Sequence, residues 1–313
     1  MKIKKYIVVT PVYEDKEASA QLFTELAGHF NNDLYVVAVD DGSVKNPLGI
    51  DAIESAGLEG AVIKLKRNVG HQRAIAIGLG HVSEIMDDDQ IVITMDSDGE
   101  DTPQSIKELI QPLSQNDIDV VVAQRKSRVE TLKFKIFYVF YKFIFSLLSG
   151  RKISFGNFMA FKKKAVKRLV NMQDLGIHVA GTVLSSKLRI SLCPLDRGAR
   201  YAGQSKMNFV GLVLHGFKGL MVFAEDVLVR VGIASAVVAS LSVLSGLCAV
   251  MLKLAGIATP GWFSVAIGIL FLVFLQTGTM TLMMLMLTGV VKNRGVEPED
   301  YQTFVDEVVY AKK

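Results

Sequence analysis

Short apolar runs alternate with stretches of helical spacing over the first 200 residues of the chain. The apolar runs, which predict buried strands, cover residues 6–9, 34–39, 61–65, 91–95 and 120–123. Between them, apolar side chains recur every three or four residues, and this spacing predicts helices over residues 14–30, 69–85 and 104–113. Strands that alternate with helices in this way are typical of a doubly wound, mostly parallel α/β sheet.

Two long apolar segments occupy the last third of the chain. Residues 231–252 contain no charged side chain, and neither do residues 254–291, which a Pro-Gly pair interrupts. The first segment would form a helix about 33 Å long, which matches the hydrocarbon core of a bilayer. The pattern predicts a transmembrane hairpin with spans at about 229–253 and 262–291. A pair of buried core helices is the alternative.

Basic residues flank this predicted hairpin. Lys218 and Arg230 precede the first span, Lys292 and Arg294 follow the second, and between the spans only Lys253 is charged. Basic flanks favour the cytoplasmic side of a membrane. Both ends of the hairpin, and with them the soluble part of the chain, are therefore expected on the cytoplasmic side of the plasma (inner) membrane.

The composition agrees with a membrane-bound chain. Of the 313 residues, 50% are hydrophobic, the mean hydropathy is +0.34 and the net charge is +4. The apolar run near the N-terminus is too short for a signal peptide. The two cysteines, Cys193 and Cys248, indicate no disulfide framework, which suits a reducing cytoplasm. No nucleic-acid partner is expected.

Two further segments mix basic and aromatic residues with aliphatic ones. Residues 126–149 interleave lysines with phenylalanines and tyrosines, and residues 204–226 have a similar character. Such segments predict amphipathic helices that lie on a membrane surface; ordinary packed helices are the alternative. The expected division is a cytoplasmic domain, an interface segment, the hairpin and a cytoplasmic tail, at residues 1–203, 204–226, 227–292 and 293–313.

Polar residues follow three of the predicted strands at the point where each strand ends. They occupy residues 10–14 after the first strand, 40–43 after the second and 96–100 after the fourth. Ligands of doubly wound sheets bind beyond the carboxyl ends of the strands. These residues are therefore the candidates for a binding site.

The acidic residues Asp96, Asp98 and Glu100 alternate along the chain. In an extended backbone, their carboxylates would point to the same side and converge. Three carboxylate ligands suit a hard divalent cation, Mg²⁺ or Mn²⁺, that shares its other positions with phosphate oxygens. An acidic surface loop is the alternative, although three like charges held together repel one another unless a cation neutralises them.

Two further groups of residues suit a nucleotide diphosphate. Asp40 or Asp41 could accept a hydrogen bond from a nucleobase or a ribose hydroxyl, or the pair could serve only to cap a helix with Ser43. Residues 66–73 place basic side chains before a predicted helix N-terminus, which would form a cradle for a diphosphate. Within it, His71 is either a general base or a polar capping residue.

Four motifs occur in order: T-P-V-Y-E at residues 10–14, V-D-D-G-S at 39–43, R-N-V-G-H-Q-R-A at 67–74 and M-D-S-D-G-E-D-T-P at 95–103. They resemble the family 2 glycosyltransferases of the GT-A fold. With the hairpin, the chain resembles the polyprenyl-phosphate sugar synthases of that family, such as dolichol-phosphate mannose synthases and bacterial undecaprenyl-phosphate glucosyltransferases. The resemblance implies a metal-dependent, inverting transfer of a sugar from a nucleotide diphosphate donor, with uridine favoured over guanosine, to a polyprenyl phosphate.

The resemblance also assigns roles to individual residues. The residues implied around the donor are Pro11, Tyr13, Glu14, Asp40, Asp41, Gly70, Arg73, Asp96, Arg200 and Lys206. The implied metal ligands are Asp96, Asp98 and Glu100, and the implied catalytic residues are Asp96, Asp98 and Arg125. The residues implied at the acceptor phosphate are Arg125, Ser205 and Lys206. A homo-oligomer assembled through the membrane helices is compatible with the resemblance.

The sequence departs from the family pattern at two positions. Glu100 stands where glutamine is usual, and Asn157 stands where the bacterial enzymes usually carry an acid. A hydroxyl acceptor needs a positioned base, whereas a phosphate with a second pKa of about 6 is already largely a dianion. Asn157 therefore favours a lipid phosphate acceptor. For the hydroxyl of a lipid-linked glycan or polysaccharide, Asp101 or His178 would be the candidate base; a non-catalytic nucleotide-sugar-binding protein is the third interpretation.

Overall fold

The structure, a computed structural model, describes residues 4–30, 33–125, 142–152, 155–201, 209–257, 261–292 and 300–311. The described residues form two compact units. The α/β unit contains those that fall within 1–139, 152–222 and 296–313, and the helical unit contains those within 140–151 and 223–295. Residues 126–141 of the first predicted interface segment and residues 204–208 of the second lie outside the described residues.

The α/β unit is built on one mixed sheet. Its strands are β1 (Tyr6–Val12), β2 (Leu34–Asp40), β3 (Glu59–Leu65), β4 (Ile91–Thr94), β5 (Val120–Arg125), β6 (Phe155–Lys162), β7 (Ile190–Leu195) and β8 (Val305–Tyr310). Within the described residues they lie in the order β7-β5-β6-β4-β1-β2-β3-β8. β6 and β8 run antiparallel to their neighbours, and the other neighbouring pairs are parallel. The five predicted strands are present as β1 to β5, and the mostly parallel α/β class is confirmed.

The apolar pattern did not predict β6, β7 and β8. β7 and β8 are the edges of the sheet and are only partly buried, so they lack the continuous apolar run that marks a buried strand. Pro194 is tolerated in β7 because one side of an edge strand makes no ladder hydrogen bonds. β8 lies within the predicted cytoplasmic tail, and the described part of that tail therefore completes the sheet.

Two fifteen-residue helices pack on the sheet, and shorter helices connect the strands. The helices are α1 (Lys16–Phe30), α2 (Asp51–Ser55), α3 (His71–Ile85), α4 (Ile106–Ile110), α5 (residues 142–149), α6 (Lys163–Val170), α7 (Val179–Ser185), α8 (Phe209–Met221), α9 (Ala224–Leu254) and α10 (Trp262–Lys292). The helix predicted over residues 104–113 is broken. α4 spans five residues between 3₁₀ turns at Pro103–Ser105 and Gln111–Ser114, because Pro112 has no N–H with which to continue an α-helix.

Side chains that alternate along β1 divide the core into two layers. Ile7 and Val9 belong to the buried cluster that contains Ile75 of α3. Val8 belongs to the opposite cluster, which contains Phe23 of α1. Because successive side chains of a strand point to opposite faces, a continuously apolar strand needs a helix on each face. The two layers hold the central strands in place, and the candidate site lies at the carboxyl ends of these strands.

The two longest helices belong to the helical unit and run antiparallel. A Cβ added at Gly232 of α9 would lie 3.7 Å from the Cβ of Met284 in α10. At the other end of α9, Lys253 Nζ lies 4.1 Å from the centroid of the Phe263 ring. The buried residues of α9 are all small, and they are Gly232, Ser235, Ala239, Ser242 and Ala249. Small residues let the two backbones approach closely.

Most other apolar side chains of α9 and α10 are exposed. The most apolar window of α9 has a mean hydropathy of 2.2 and is 17% buried, and that of α10 has a mean hydropathy of 2.0 and is 0% buried. A core helix of a soluble protein would be mostly buried, whereas these two apolar helices are mostly exposed. Their surfaces therefore suit an apolar solvent. Both helices are long and apolar enough to cross a membrane. They coincide with the predicted spans and indicate membrane association.

The segment that leads into β8 packs on α3. It forms a 3₁₀ turn, Tyr301–Phe304, and the carbonyl oxygen of Phe304 accepts a hydrogen bond from the N–H of Lys66 at 3.0 Å. The Tyr301 ring lies so close to Gly80 that a Cβ added there would be 2.6 Å from its Cδ1. The turn therefore braces both α3 and the loop that precedes it.

We expect Gly78→Ala to destabilise the α/β unit. A Cβ at Gly78 would lie 2.5 Å from Val9 Cγ1 and 3.0 Å from Val39 Cγ2, so α3 would have to move away from the sheet. Overpacking of this kind costs about 1–3 kcal/mol, of which the higher helix propensity of alanine offsets about 1 kcal/mol at most. The change is measured as the shift in thermal unfolding midpoint.

Gly28→Ala in α1 is the matched control. A Cβ at Gly28 would have nothing within 4 Å, so only the gain in helix propensity remains and the midpoint should rise. Equal shifts for the two variants would contradict the close approach of α3 to β1 and β2.

Candidate active site

The polar residues that follow β1, β2 and β4 meet at one edge of the sheet. β1 pairs in parallel with both β2 and β4, so that Val12 lies opposite Asp40 and Val9 opposite Thr94. Just past the strand ends, the Asp41 N–H donates to the carbonyl oxygen of Val12 at 2.8 Å and the Met95 N–H to that of Val9 at 3.1 Å, so the chain leaves the sheet at the same edge after all three strands. The structure thereby brings the three predicted groups together.

Glu14 and Asp40 hold the loop that follows β2. Both carboxylate oxygens of Glu14 accept from backbone N–H groups of residues 44–46, at 2.7 to 3.1 Å. These hydrogen bonds, chiefly that of Lys45, lower the pKa of the Glu14 carboxyl. Asp40 accepts from the N–H groups of Ser43 at 3.1 Å and Leu48 at 3.0 Å. Glu14 and Asp40, which were predicted to bind the nucleotide-sugar donor, therefore shape this loop. Tyr13, which precedes Glu14, is 44% exposed.

Asp41 holds the loop before α3. Its carboxylate accepts from the N–H groups of Val69 at 2.7 Å and Gly70 at 2.9 Å, and burial raises its pKa. The neighbouring Gly42 has a φ of 67°, and a Cβ there would lie 2.5 Å from the backbone of Arg67. Asp41 and Gly42 therefore fix the N-terminus of α3 at the edge of the sheet.

His71, the first residue of α3, meets the acidic segment. Its Nε2 lies 3.1 Å from Oδ1 of Asp96 and 3.1 Å from the side-chain amide nitrogen of Asn157. Burial lowers the pKa of His71, but the attraction of Asp96 and its acidic neighbours outweighs burial and raises the pKa overall. The contact with Asn157, which arrives on β6, was not predicted from the sequence.

Residues 96–101, here called the acid loop, form a turn. Gly99 has a φ of 86°, and the Asp101 carboxylate accepts from the Asp96 N–H at 3.1 Å. The predicted extended backbone, in which three acids point to one side, is therefore wrong for this segment, because a left-handed glycine reverses the chain. Burial and then the charge of Asp96 raise the pKa of Asp101 to about 7.

Two arginines neutralise the acid loop. Arg200 contacts Asp98 Oδ2 through Nη2 at 2.8 Å and Glu100 Oε1 through Nε at 3.0 Å. Arg197 forms an ion pair with Glu100 Oε2. Burial lowers the pKa of Arg200, but Asp98 and Glu100 outweigh burial and raise it overall. Arg197 was not predicted as a site residue. The one feature of the sequence that pointed to it is its position three residues before Arg200.

The acid loop fits a divalent cation through Asp98 and Glu100. Their carboxylates converge on one cationic group, Arg200, and they supply the hard oxygen ligands that Mg²⁺ and Mn²⁺ prefer. Asp96 faces His71 instead. Within the part of the chain that the structure describes, no three His, Cys, Asp or Glu side chains form a ready group of metal ligands.

Other predicted site residues lie apart from these contacts or outside the described part. The guanidinium group of Arg73 lies over the ring of Phe304, 5.4 Å from its centroid. The Arg73 side chain therefore points toward the segment that precedes β8. Arg125 ends β5, and its side chain is outside the described residues, as are Ser205 and Lys206.

His178 has a structural role. Its Nδ1 accepts from the N–H of Gly181 at the start of α7, at 2.9 Å, and its ring lies 4.5 Å from that of His215 in α8. Burial, followed by the charge of His215, lowers the pKa of His178 to about 3. In this structure Nδ1 of His178 is engaged at the N-terminus of α7, and a role of His178 as an alternative base stays a prediction.

A mostly parallel α/β sheet with acidic and basic loops at its carboxyl edge agrees with a glycosyltransferase of the GT-A fold. The chain belongs to glycosyl transferase family 2, whose model matches residues 7–170, just over half of the chain. Both the family and the enzyme class predicted from the motifs are confirmed.

Two relatives extend this likeness toward the C-terminus. The undecaprenyl-phosphate 4-deoxy-4-formamido-L-arabinose transferase of Klebsiella pneumoniae (strain 342) is 24% identical over 278 residues, which cover 87% of this chain and 83% of that protein. Glycosyltransferase YkoT of Bacillus subtilis (strain 168) is 27% identical over 247 residues, which cover 78% of this chain and 72% of that protein.

Solved structures share the fold. Glucosyl-3-phosphoglycerate synthase from Mycobacterium tuberculosis, in complex with Mn²⁺, uridine-diphosphate and phosphoglyceric acid, has a TM-score of 0.51 at 13% identity, over 72% of this chain and 78% of that one. The same enzyme with Mg²⁺ and uridine-diphosphate has a TM-score of 0.50 at 13% identity, over 72% and 79%.

We expect Asp101→Asn to reduce the loss of stability that accompanies a rise in pH. In the folded protein Asp101 keeps its proton to about pH 7, whereas its ordinary pKa is 3.8. Between these values the folded state binds more protons than the unfolded state, so stability falls as pH rises. Asparagine does not titrate and retains an oxygen for the Asp96 N–H. The measurement is the unfolding midpoint between pH 5 and 8 in EDTA.

The control is Asp88→Asn, whose carboxylate is 92% exposed and pairs with Lys163. Lys163 lowers the pKa of Asp88, so this variant should keep the wild-type slope above pH 5. A wild-type slope in Asp101→Asn would show that Asp101 is ionised throughout.

Proposed function

We propose that this glycosyltransferase transfers a sugar from a nucleotide diphosphate sugar to a polyprenyl phosphate at the cytoplasmic face of the plasma membrane. The observation that carries the proposal is the presence, in one chain, of an acid loop paired with arginines and of two long helices with exposed apolar surfaces. The first suits a nucleotide diphosphate, and the second suits a lipid acceptor. The Klebsiella relative, whose name includes undecaprenyl phosphate, supports this acceptor class.

The donor would bind beyond β1 and β2. The exposed ring of Tyr13, two residues after Pro11, offers a surface for the base, and uridine is the expected nucleoside. The loops fixed by Glu14, Asp40 and Asp41 would enclose the ribose. We assign the diphosphate to the N-terminus of α3, after Gly70, and to Arg200, with Lys206 and Arg73 as further predicted donor residues.

Asp98 and Glu100 would hold a Mg²⁺ or Mn²⁺, with Asp96 on the donor side. The bound metal would supply Lewis-acid neutralisation of the leaving diphosphate. The GT-A structures solved with Mg²⁺ or Mn²⁺ and uridine-diphosphate support this choice. His71, 3.1 Å from Asp96, would keep that carboxylate in place.

The acceptor phosphate would need no protein base. A phosphate monoester with a second pKa of about 6 is largely a dianion at neutral pH, and the neutral Asn157 lines the pocket beside Asp96 and Asp101. The protein would orient the two anionic groups for one inverting displacement at the anomeric carbon. Arg125, Ser205 and Lys206 are the residues we assign to the acceptor phosphate.

The remaining assignments concern the membrane. We place the spans at α9 and α10, the soluble unit in the cytoplasm and an interface segment at residues 204–226, which includes α8. Leu214, Phe217 and Met221 of α8 are each more than half exposed and lie on one side of it, which suits a membrane surface. A homo-oligomer would assemble through α9 and α10.

The purified full-length enzyme should convert undecaprenyl phosphate and one member of a nucleotide-sugar panel into an acid-labile lipid-linked sugar. Asp98→Asn should lower turnover at least about 100-fold, because it weakens the hold on the metal that would neutralise the leaving diphosphate, while Asp88→Asn should leave turnover unchanged. If no donor in the panel gives a lipid-linked sugar, the proposed function is wrong.

A glycan hydroxyl is the second candidate acceptor, and one observation favours it. Asp101 lines the same pocket as Asn157, and its pKa of about 7 is the value that a general base needs near neutral pH. Under this alternative Asp101→Asn should lower turnover about 100-fold or more and leave donor binding intact. Under the lipid phosphate proposal, the same variant should keep turnover within a few-fold of wild type.

A further inference from the structure

The segment that follows β7 is bound along the acid loop. The N–H of Gly198 donates to the carbonyl oxygen of Glu100 at 3.0 Å, and the N–H of Tyr201 donates to that of Asp98 at 2.9 Å. We call residues 197–201 the arginine latch, because Arg197 and Arg200 project from it onto the acid loop.

The arginine latch and the loop itself occupy every carboxylate oxygen of Asp98 and Glu100. Asp98 Oδ2 and Glu100 Oε1 contact Arg200, and Glu100 Oε2 contacts Arg197. The fourth oxygen, Asp98 Oδ1, accepts from the N–H of Glu100 at 3.0 Å. A divalent cation that binds these carboxylates would meet the positive charge of both guanidinium groups, so its binding is favoured when they withdraw.

Tyr201 anchors the end of the latch independently of the arginines. Its hydroxyl donates to Glu25 Oε2 of α1 at 2.6 Å, and its ring covers Gly99 so closely that a Cβ there would be 2.6 Å away. Gly198 is equally confined, because a Cβ there would be 2.6 Å from Cγ2 of Thr102. The arginine side chains can leave the carboxylates while the latch backbone stays attached.

We propose that Arg197 and Arg200 compete with the divalent cation for Asp98 and Glu100, and that they turn to the donor diphosphate when metal and nucleotide bind together. The inference rests on the metal use proposed above. Two guanidinium groups and a divalent cation repel one another at the same oxygens, whereas a diphosphate offers guanidinium groups a new bidentate partner. The metal should therefore bind weakly alone and tightly with a nucleoside diphosphate, and this coupling is reciprocal.

The test is a Mn²⁺ titration of the full-length protein, followed by electron paramagnetic resonance, with and without uridine diphosphate. Arg197→Gln removes one competing charge and should raise the affinity for Mn²⁺ alone by about tenfold. It should lower the enhancement by uridine diphosphate by a similar factor. Arg197→Lys keeps the charge and should stay near wild type.

Arg189→Gln is the matched control. Arg189 lies just before β7 and pairs with Asp119 at 2.7 Å, away from the acid loop, so its loss should leave Mn²⁺ affinity unchanged. Unchanged or weaker binding of Mn²⁺ alone by Arg197→Gln would overturn the inference. The titration uses no sugar or lipid, so its failure is distinct from a failure of the transfer assay.

Hydrogen exchange in the wild type is a second measurement that does not depend on a variant that folds. Mn²⁺ with uridine diphosphate should leave the protection of the Gly198 and Tyr201 amides unchanged, because their hydrogen bonds to the acid loop persist while the arginine side chains change partners. A several-fold loss of protection at these two amides would contradict an exchange confined to the arginine side chains.

Discussion

Neutralisation of the acid loop is the constraint on which the rest of the site depends. Asp96, Asp98, Glu100 and Asp101 lie within six residues at a partly buried edge of the sheet, where like charges are costly. Their charges are offset in three ways. Asp96 faces His71, Asp98 and Glu100 share Arg200, and burial raises the pKa of Asp101 to about 7, which favours its neutral form. The loops that carry His71 and Arg200 therefore converge on this cluster of acids.

That positioning comes from backbone contacts made by other acids. Asp41 binds the two N–H groups that precede α3 and thereby presents His71 to the acid loop. Glu14 does the same for the loop after β2. The antiparallel strand β6 adds Asn157 from a distant part of the chain. Carboxylates that the motifs associate with a nucleotide thus also serve as structural acceptors, which satisfy backbone donors at the strand ends.

The helical unit meets a different physical demand. α9 buries only small residues against α10 and leaves its large apolar side chains exposed, which is unfavourable in water and suitable in lipid. One chain therefore combines a charged site at the sheet with a helical surface that suits lipid. The proposed lipid-linked phosphate acceptor is a substrate with both characters.

The sequence by itself determined the elements whose signals are local. The apolar runs gave β1 to β5, the uncharged segments gave α9 and α10, and the ordered motifs gave the family. Tertiary structure decided what depends on distant partners. The half-exposed edge strands β7 and β8 form only against β5 and β3, and Gly99 turns a loop that alternation predicted to be extended. Arg197 and Asn157 acquire their roles only because the sheet brings them to Glu100 and His71. Strand pairing and charge neutralisation act through space, so spacing along the chain could not reveal them.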